Sequence, residues 1–192
     1  MMFKQMKLLA GLFLIACGLC FAGCTGIPLD SKVPDLLQAD SIQIKNSWAG
    51  LALVTKQHHS LQRDDKAFRG KAQFSVARRN SEQPRQAIED IEIPLDVAQS
   101  FLKTLASLPL KEGKYEPKIE HTDDHPSISI ELNVKGETVV IFTESQGKDH
   151  IPWGVTFKGK TFVAASDIPA RALNQLGPYL KHDVLQNLIE QK

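Results

Sequence analysis

Residues 127–143, SISIELNVKGETVVIFT, carry the clearest structural signal in the chain. Ile128, Ile130, Leu132 and Val134 alternate with polar residues without a miss, the period-two pattern of a strand with one buried face. Lys135-Gly136 then supplies a tight turn, and Val139 to Phe142 returns. The stretch therefore predicts an antiparallel hairpin.

Working outward, WGVTFKGKTFVA predicts a second hairpin turning at Lys158-Gly159-Lys160. On the N-terminal side, SIQIKNSWAGLALV reads as one or two strands, and GKAQFSVAR alternates Ala72, Phe74 and Val76. IEDIEI adds a short strand. After Pro94, Val97, Ala98, Phe101, Leu102 and Leu105 recur at helical spacing until Pro109, which ends a helix. Two further helices are expected at the C-terminus, broken at Gly177-Pro178, with Leu180, Val184, Leu185, Leu188 and Ile189 facing inward. Strands and helices do not alternate regularly, so the expected class is α+β: an antiparallel sheet of about five to seven strands with helices on one face.

The composition, 42% apolar and 23% charged, is that of a folded globular protein. A formal charge of +1 selects neither nucleic acid nor a strongly anionic surface as partner. No G-x-S-x-G elbow, P-loop or dinucleotide-binding glycine pattern is present, and no cofactor is implied.

All three cysteines lie in LIACGLCFAGCTG, residues 14–26. Before them, MMFKQMK is short and basic and LLAGLFLIACGLCFA is apolar, as in a secretory signal. The apolar run is shorter than the roughly 20 residues that span a bilayer. Its end resembles the lipobox of bacterial lipoproteins, where small residues precede an obligatory cysteine. LIAC, ending at Cys17, matches that pattern better letter by letter. FAGC, ending at Cys24, has 13 apolar-segment residues before it against six for LIAC, and a length of about 7–15 is expected. Length therefore favours Cys24 over Cys17.

The resemblance implies removal of residues 1–23 and acylation of Cys24. It also implies a lipid-anchored location in the cell envelope: the outer membrane, facing the periplasm, in a Gram-negative source, and otherwise the outer face of the cell membrane. Thr25 rather than aspartate after the cysteine favours the outer membrane. Residues 24–40, with Gly26, Pro28 and Pro34, are expected to form a flexible tether, and residues 41–192 a single α+β domain. Fully extended, such a tether reaches roughly 50 Å.

Four sets of residues invite a chemical reading. EHTDDHPS places His121, Asp123, Asp124 and His125 together, a density suited to zinc or another transition metal; the spacing matches no standard motif, and a polar loop closed by Pro126 is the expectation. His58 and His59 fall in TKQHHSLQRDDKAFRG, expected to be a solvated connection, with His150 and His182 isolated. Lys56, Arg63, Lys66, Arg69, Lys71, Arg78, Arg79 and Arg85 form a basic stretch. Arg63, Arg69, Lys71, Arg78 and Arg79 are the candidate patch for anionic lipid headgroups, an anionic envelope polymer or an acidic envelope protein, weighed against a solvated face balanced by the acids of EDIEIPLD. Trp153, in ESQGKDHIPWG, is expected in the core rather than as a recognition aromatic.

The function these features favour is a non-enzymatic, membrane-tethered binding or assembly module. The alternatives are a metal-dependent envelope enzyme or metal-binding protein using residues 121–125, and an immunity-type inhibitor of a secreted toxin or hydrolase.

Overall fold

Alternation decides where the core lies. The computed structural model describes residues 27–78, 83–120 and 123–190. Ile128, Ile130, Leu132 and Val134 are buried on one face of a strand, β7 (His125–Val134). It forms the predicted hairpin with β8 (Glu137–Thr143) through Ile130↔Ile141 and Leu132↔Val139. The second hairpin joins β9 (Trp153–Phe157) to β10 (Lys160–Ala164), with Lys160 opposite Phe157. At both turns the glycine has positive φ, 84° for Gly136 and 74° for Gly159, a conformation glycine adopts without steric cost.

The remaining strands are β1 (Ile27–Pro28), β2 (Ser41–Ala49), β3 (Leu53–Arg63), β4 (Ala67–Arg78), β5 (Arg85–Pro94) and β6 (Pro109–Glu112). They pair antiparallel in the order β1-β6-β10-β9-β8-β7-β2-β3-β4-β5. Nine strands form the continuous sheet, and the two-residue β1 extends it at one edge. The α+β class holds, but five to seven strands is an underestimate. The shortfall arises mainly at β3, where Thr55, Gln57 and His59 are polar residues in buried positions. A hydrophobic pattern cannot register a strand whose core-facing side chains are polar.

Three helices pack on the buried face: α1 (Leu95–Ala106), α2 (Ile168–Leu176) and α3 (His182–Glu190). In α1, Ala98, Phe101, Leu102 and Leu105 are buried at helical spacing. Each of the larger three contributes about 2 kcal/mol through removal from water. Arg78 of β4 and Arg85 of β5 donate to the carbonyls of Ile189 and Leu188 at the end of α3, tying that helix to the same face. Among the described residues no helix is long and apolar enough to cross a membrane.

The expected tether is a second correction. Residues 27–40 belong to the domain, because Leu29, Val33, Leu36 and Ala39 lie in the same core cluster as Leu188. Short 3-10 turns at Leu29–Ser31 and Leu36–Gln38 deliver them there. Pro28 and Pro34 punctuate this packed segment rather than marking a loose one. The signal segment and Cys24 lie outside the described residues.

Candidate functional site

On the helix face, β2, β3, β7 and β9 form the floor of a cavity of about 210 Å³ roofed by α2 and the turn into α3. Ile44 and Trp153 are buried in the floor, while Asn174 and His182 are exposed at the rim. Three of the chain's six histidines, His59, His150 and His182, line it together. His59 is not in a solvated loop: it sits mid-strand in β3, paired with Ile44, and is only 1% exposed. His58, its neighbour, points to the other face, where Nε2 lies 3.3 Å from Gln43 Oε1.

Each of the three rings has one nitrogen fixed by an oxygen that can only accept. His59 Nε2–H donates to the Leu180 carbonyl at 3.0 Å, His150 Nδ1–H to the Ser145 carbonyl at 3.0 Å, and His182 Nδ1–H to Gln57 Oε1 at 3.2 Å. In the neutral ring the second nitrogen is therefore an acceptor. At His59 that nitrogen, Nδ1, is buried and has no hydrogen-bond partner. Asn46 and Asn174 add uncharged amides, and among the described residues no carboxylate, lysine or arginine lines the cavity.

Burial pushes the His59 pKa below the ordinary imidazole value, and the nearby His182 pushes in the same direction. The hydrogen bond to Leu180 opposes this, and the Ile44 carbonyl adds a weaker opposing pull without meeting Nδ1 in hydrogen-bonding geometry. Above about pH 6.5 folded and unfolded chains both hold this ring neutral. As the pH falls through that value the unfolded chain takes up a proton that the folded ring resists, so stability declines. The urea midpoint should therefore drop more steeply between pH 7 and pH 5.5 in the wild type than in His59→Leu. Parallel curves would show that His59 is not the group responsible.

The loop between β8 and β9 is a polar scaffold rather than a reactive site. Ser145 Oγ lies 3.1 Å from the Pro152 carbonyl and accepts from Lys118 N at 3.1 Å. Gln146 N donates to the Lys118 carbonyl, and its side chain accepts from Glu120 N and donates to the Asp124 carbonyl. His150 meets the carbonyl of Ser145, not its hydroxyl, so the two do not form a nucleophile–base pair. Trp153 is in the core, 0% exposed, with Nε1–H donating to the Asp149 carbonyl at 3.0 Å.

Of the four candidate metal ligands, His121 lies outside the described residues. Asp123 and His125 are exposed, and Asp124 is half-buried at the entry to β7. Among the described residues no three histidine, cysteine, aspartate or glutamate side chains stand in an arrangement able to hold a metal ion.

Among the described residues, the basic candidates do not share one face. Arg69 and Lys71 lie on the open face of β4, paired with Glu92 and Asp90 of β5, and Arg69 also pairs with Asp64. Asp64 accepts from Lys66 N and Ala67 N, which with Arg69 holds its carboxyl below the usual range; the Arg69 hydrogen bond does the same for Glu92. Arg63 and Arg78 point to the opposite face, where they donate to the carbonyls of Leu37 and Ile189. Arg79 lies outside the described residues. Acids of β5 thus pair with Arg69 and Lys71, and exposed pairs of this kind contribute little stability.

The fold is that of an α+β protein whose sheet carries helices on one face, with a histidine-lined cavity beneath them. No protein-family model, no curated protein and no solved structure matches the chain.

Proposed function

We propose that the chain is a cell-envelope lipoprotein anchored through Cys24, and that its domain is a non-enzymatic module binding a small uncharged compound. The anchor rests on the lipobox resemblance. The binding role rests on the cavity, where three imidazoles each have one nitrogen engaged with an oxygen and a second that accepts when the ring is neutral, beside apolar walls. Such a lining suits a ligand with an apolar body and O–H or N–H donors. At about 210 Å³ the space suits a single ring, since a dry cavity of about 150 Å³ accepts benzene.

Two measurements test the two halves. Palmitate labelling should be lost in Cys24→Ala and kept in Cys17→Ala; the reverse result would overturn the anchor site. Phenol should bind the full chain at least tenfold more tightly than toluene, which lacks a donor. Asn174→Trp, at the exposed rim, should weaken phenol binding at least tenfold without unfolding the protein. Equal binding of phenol and toluene, or indifference to Asn174→Trp, would remove the cavity as the binding site.

A further inference from the structure

The sheet has two ends, and the chain's start selects one of them. β1 runs antiparallel to β6, with Ile27 opposite Leu110 and Pro28 opposite Pro109. β6 in turn runs toward the β9–β10 turn, because Lys111 faces Val163 and Glu112 faces Phe162. Traced backward from Ile27, the chain therefore leaves the sheet toward that turn. The β7–β8 turn lies at the same end, since Val139 near the start of β8 faces Phe157 at the end of β9.

Three short segments meet there: residues 109–114, 134–138 and 157–161. They contain five lysines, Lys111, Lys114, Lys135, Lys158 and Lys160, against Glu112 and Glu137. All five lysines are exposed. Lys158 pairs with Glu137 and Lys114 with Glu116, while Lys111, Lys135 and Lys160 make no ion pair among the described residues. Asp40, just before β2, also lies at this end and accepts from Lys135 N at 2.8 Å; the β3–β4 turn adds Asp64 and Asp65 further across the sheet, so Lys111, Lys135 and Lys160 lie on the side that adjoins β1. The opposite end mixes the acids Glu120, Asp123, Asp124 and Glu144 with Arg78, Arg85, Lys118 and Lys148.

We infer that this lysine-bearing end of the sheet rests on a bilayer containing anionic phospholipid, held there by the lipid on Cys24. The inference rests on the proposed acylation of Cys24. Only Thr25 and Gly26 stand between Cys24 and Ile27, so the anchor lies no more than about 10 Å from β1. That is about one Debye length at physiological ionic strength. At such distances each lysine is attracted to acidic headgroups. A longer tether would let the domain tumble; this one holds the lysine-bearing end at the surface. The cavity mouth then lies to the side of the contact, on the helix face, and stays open.

The test uses the acylated chain in vesicles holding 30% phosphatidylglycerol and a headgroup-attached quencher. A fluorophore goes on Thr161→Cys, at the lysine end, or on Leu51→Cys, at the far hairpin tip where Leu51 is 68% exposed. Quenching at position 161 should exceed that at position 51 at least threefold. The difference should disappear in pure phosphatidylcholine, and also when Lys111, Lys135 and Lys160 are all changed to glutamine. Equal quenching at the two positions, or indifference to the lysines, would overturn the inference. A second arm uses unacylated chain beginning at residue 24 with Cys24→Ser, whose cosedimentation with the same vesicles should be salt-sensitive and fall at least tenfold in the triple variant. It stands even if Cys24 proves not to be acylated, so the two failures are distinguishable. If soluble polyglutamate abolished vesicle binding as well as unlabelled phosphatidylglycerol vesicles did, the surface would belong to an acidic polymer instead.

Discussion

Trp153→Ala is expected to destabilise the protein by about 4 kcal/mol, the upper part of the range for removing a buried aromatic from a core. Trp153 is 0% exposed, so the substitution strips its apolar area from the core and leaves a void between the sheet and α2. For a domain of this size that is a fall in melting temperature of about 8–16 °C. The loss has a second component, because Nε1 donates to the Asp149 carbonyl and so ties the β8–β9 loop to β9. Trp153→Phe separates the two: it keeps a ring in place but loses the N–H, and should cost about 1–2 kcal/mol. Urea denaturation of both variants provides the check. A loss below about 1 kcal/mol for Trp153→Ala would contradict its place in the core. Because Trp153 also lines the cavity, the alanine variant should bind phenol less selectively against toluene, its ring no longer shaping the floor.

The same residue shows how far the sequence could be read. Trp153 lies in the core as expected, and both hairpins, α1 and the break at Gly177-Pro178 are legible in the sequence. Each places apolar side chains at a regular period and stops at a residue with a known backbone preference. The cavity was not legible, because its histidines stand 91 and 32 residues apart, at positions 59, 150 and 182. They meet only through strand pairing and the return of the C-terminal helices. Nor did His59 look like a buried residue, since an imidazole between Gln57 and Leu61 reads as solvated until the carbonyl of Leu180 supplies its partner. That acceptor lies 121 residues away. Likewise Leu29, Val33 and Leu36 are too few and too closely flanked by prolines to announce a packed segment, yet they fill the edge of the core.

Gly70→Ala is the second substitution expected to have a large effect, at about 3 kcal/mol or more. Gly70 lies inside β4, opposite Leu61 of β3 and Ile91 of β5, and its position faces the core. A Cβ placed there would overlap the Ser60 carbonyl oxygen and come within 2.8 Å of the Ser60 carbonyl carbon and 3.0 Å of Leu61 Cα. All three are main-chain atoms of the neighbouring strand. They cannot swing aside as a flexible side chain would, so the β3–β4 ladder itself must part. The requirement is for space. Gly136 and Gly159 differ, for a Cβ there meets nothing within 4 Å and only the positive φ is strained; alanine at either should cost about 1 kcal/mol. Urea denaturation of Gly70→Ala beside Gly136→Ala makes the comparison direct. If the two losses were equal, β3 and β4 would have to stand further apart at residues 60–61 than their pairing places them. The consequence reaches the cavity, because the strand displaced is the one carrying Gln57 and His59. Gly70→Ala should therefore weaken phenol binding as well as stability, although Gly70 does not line the cavity.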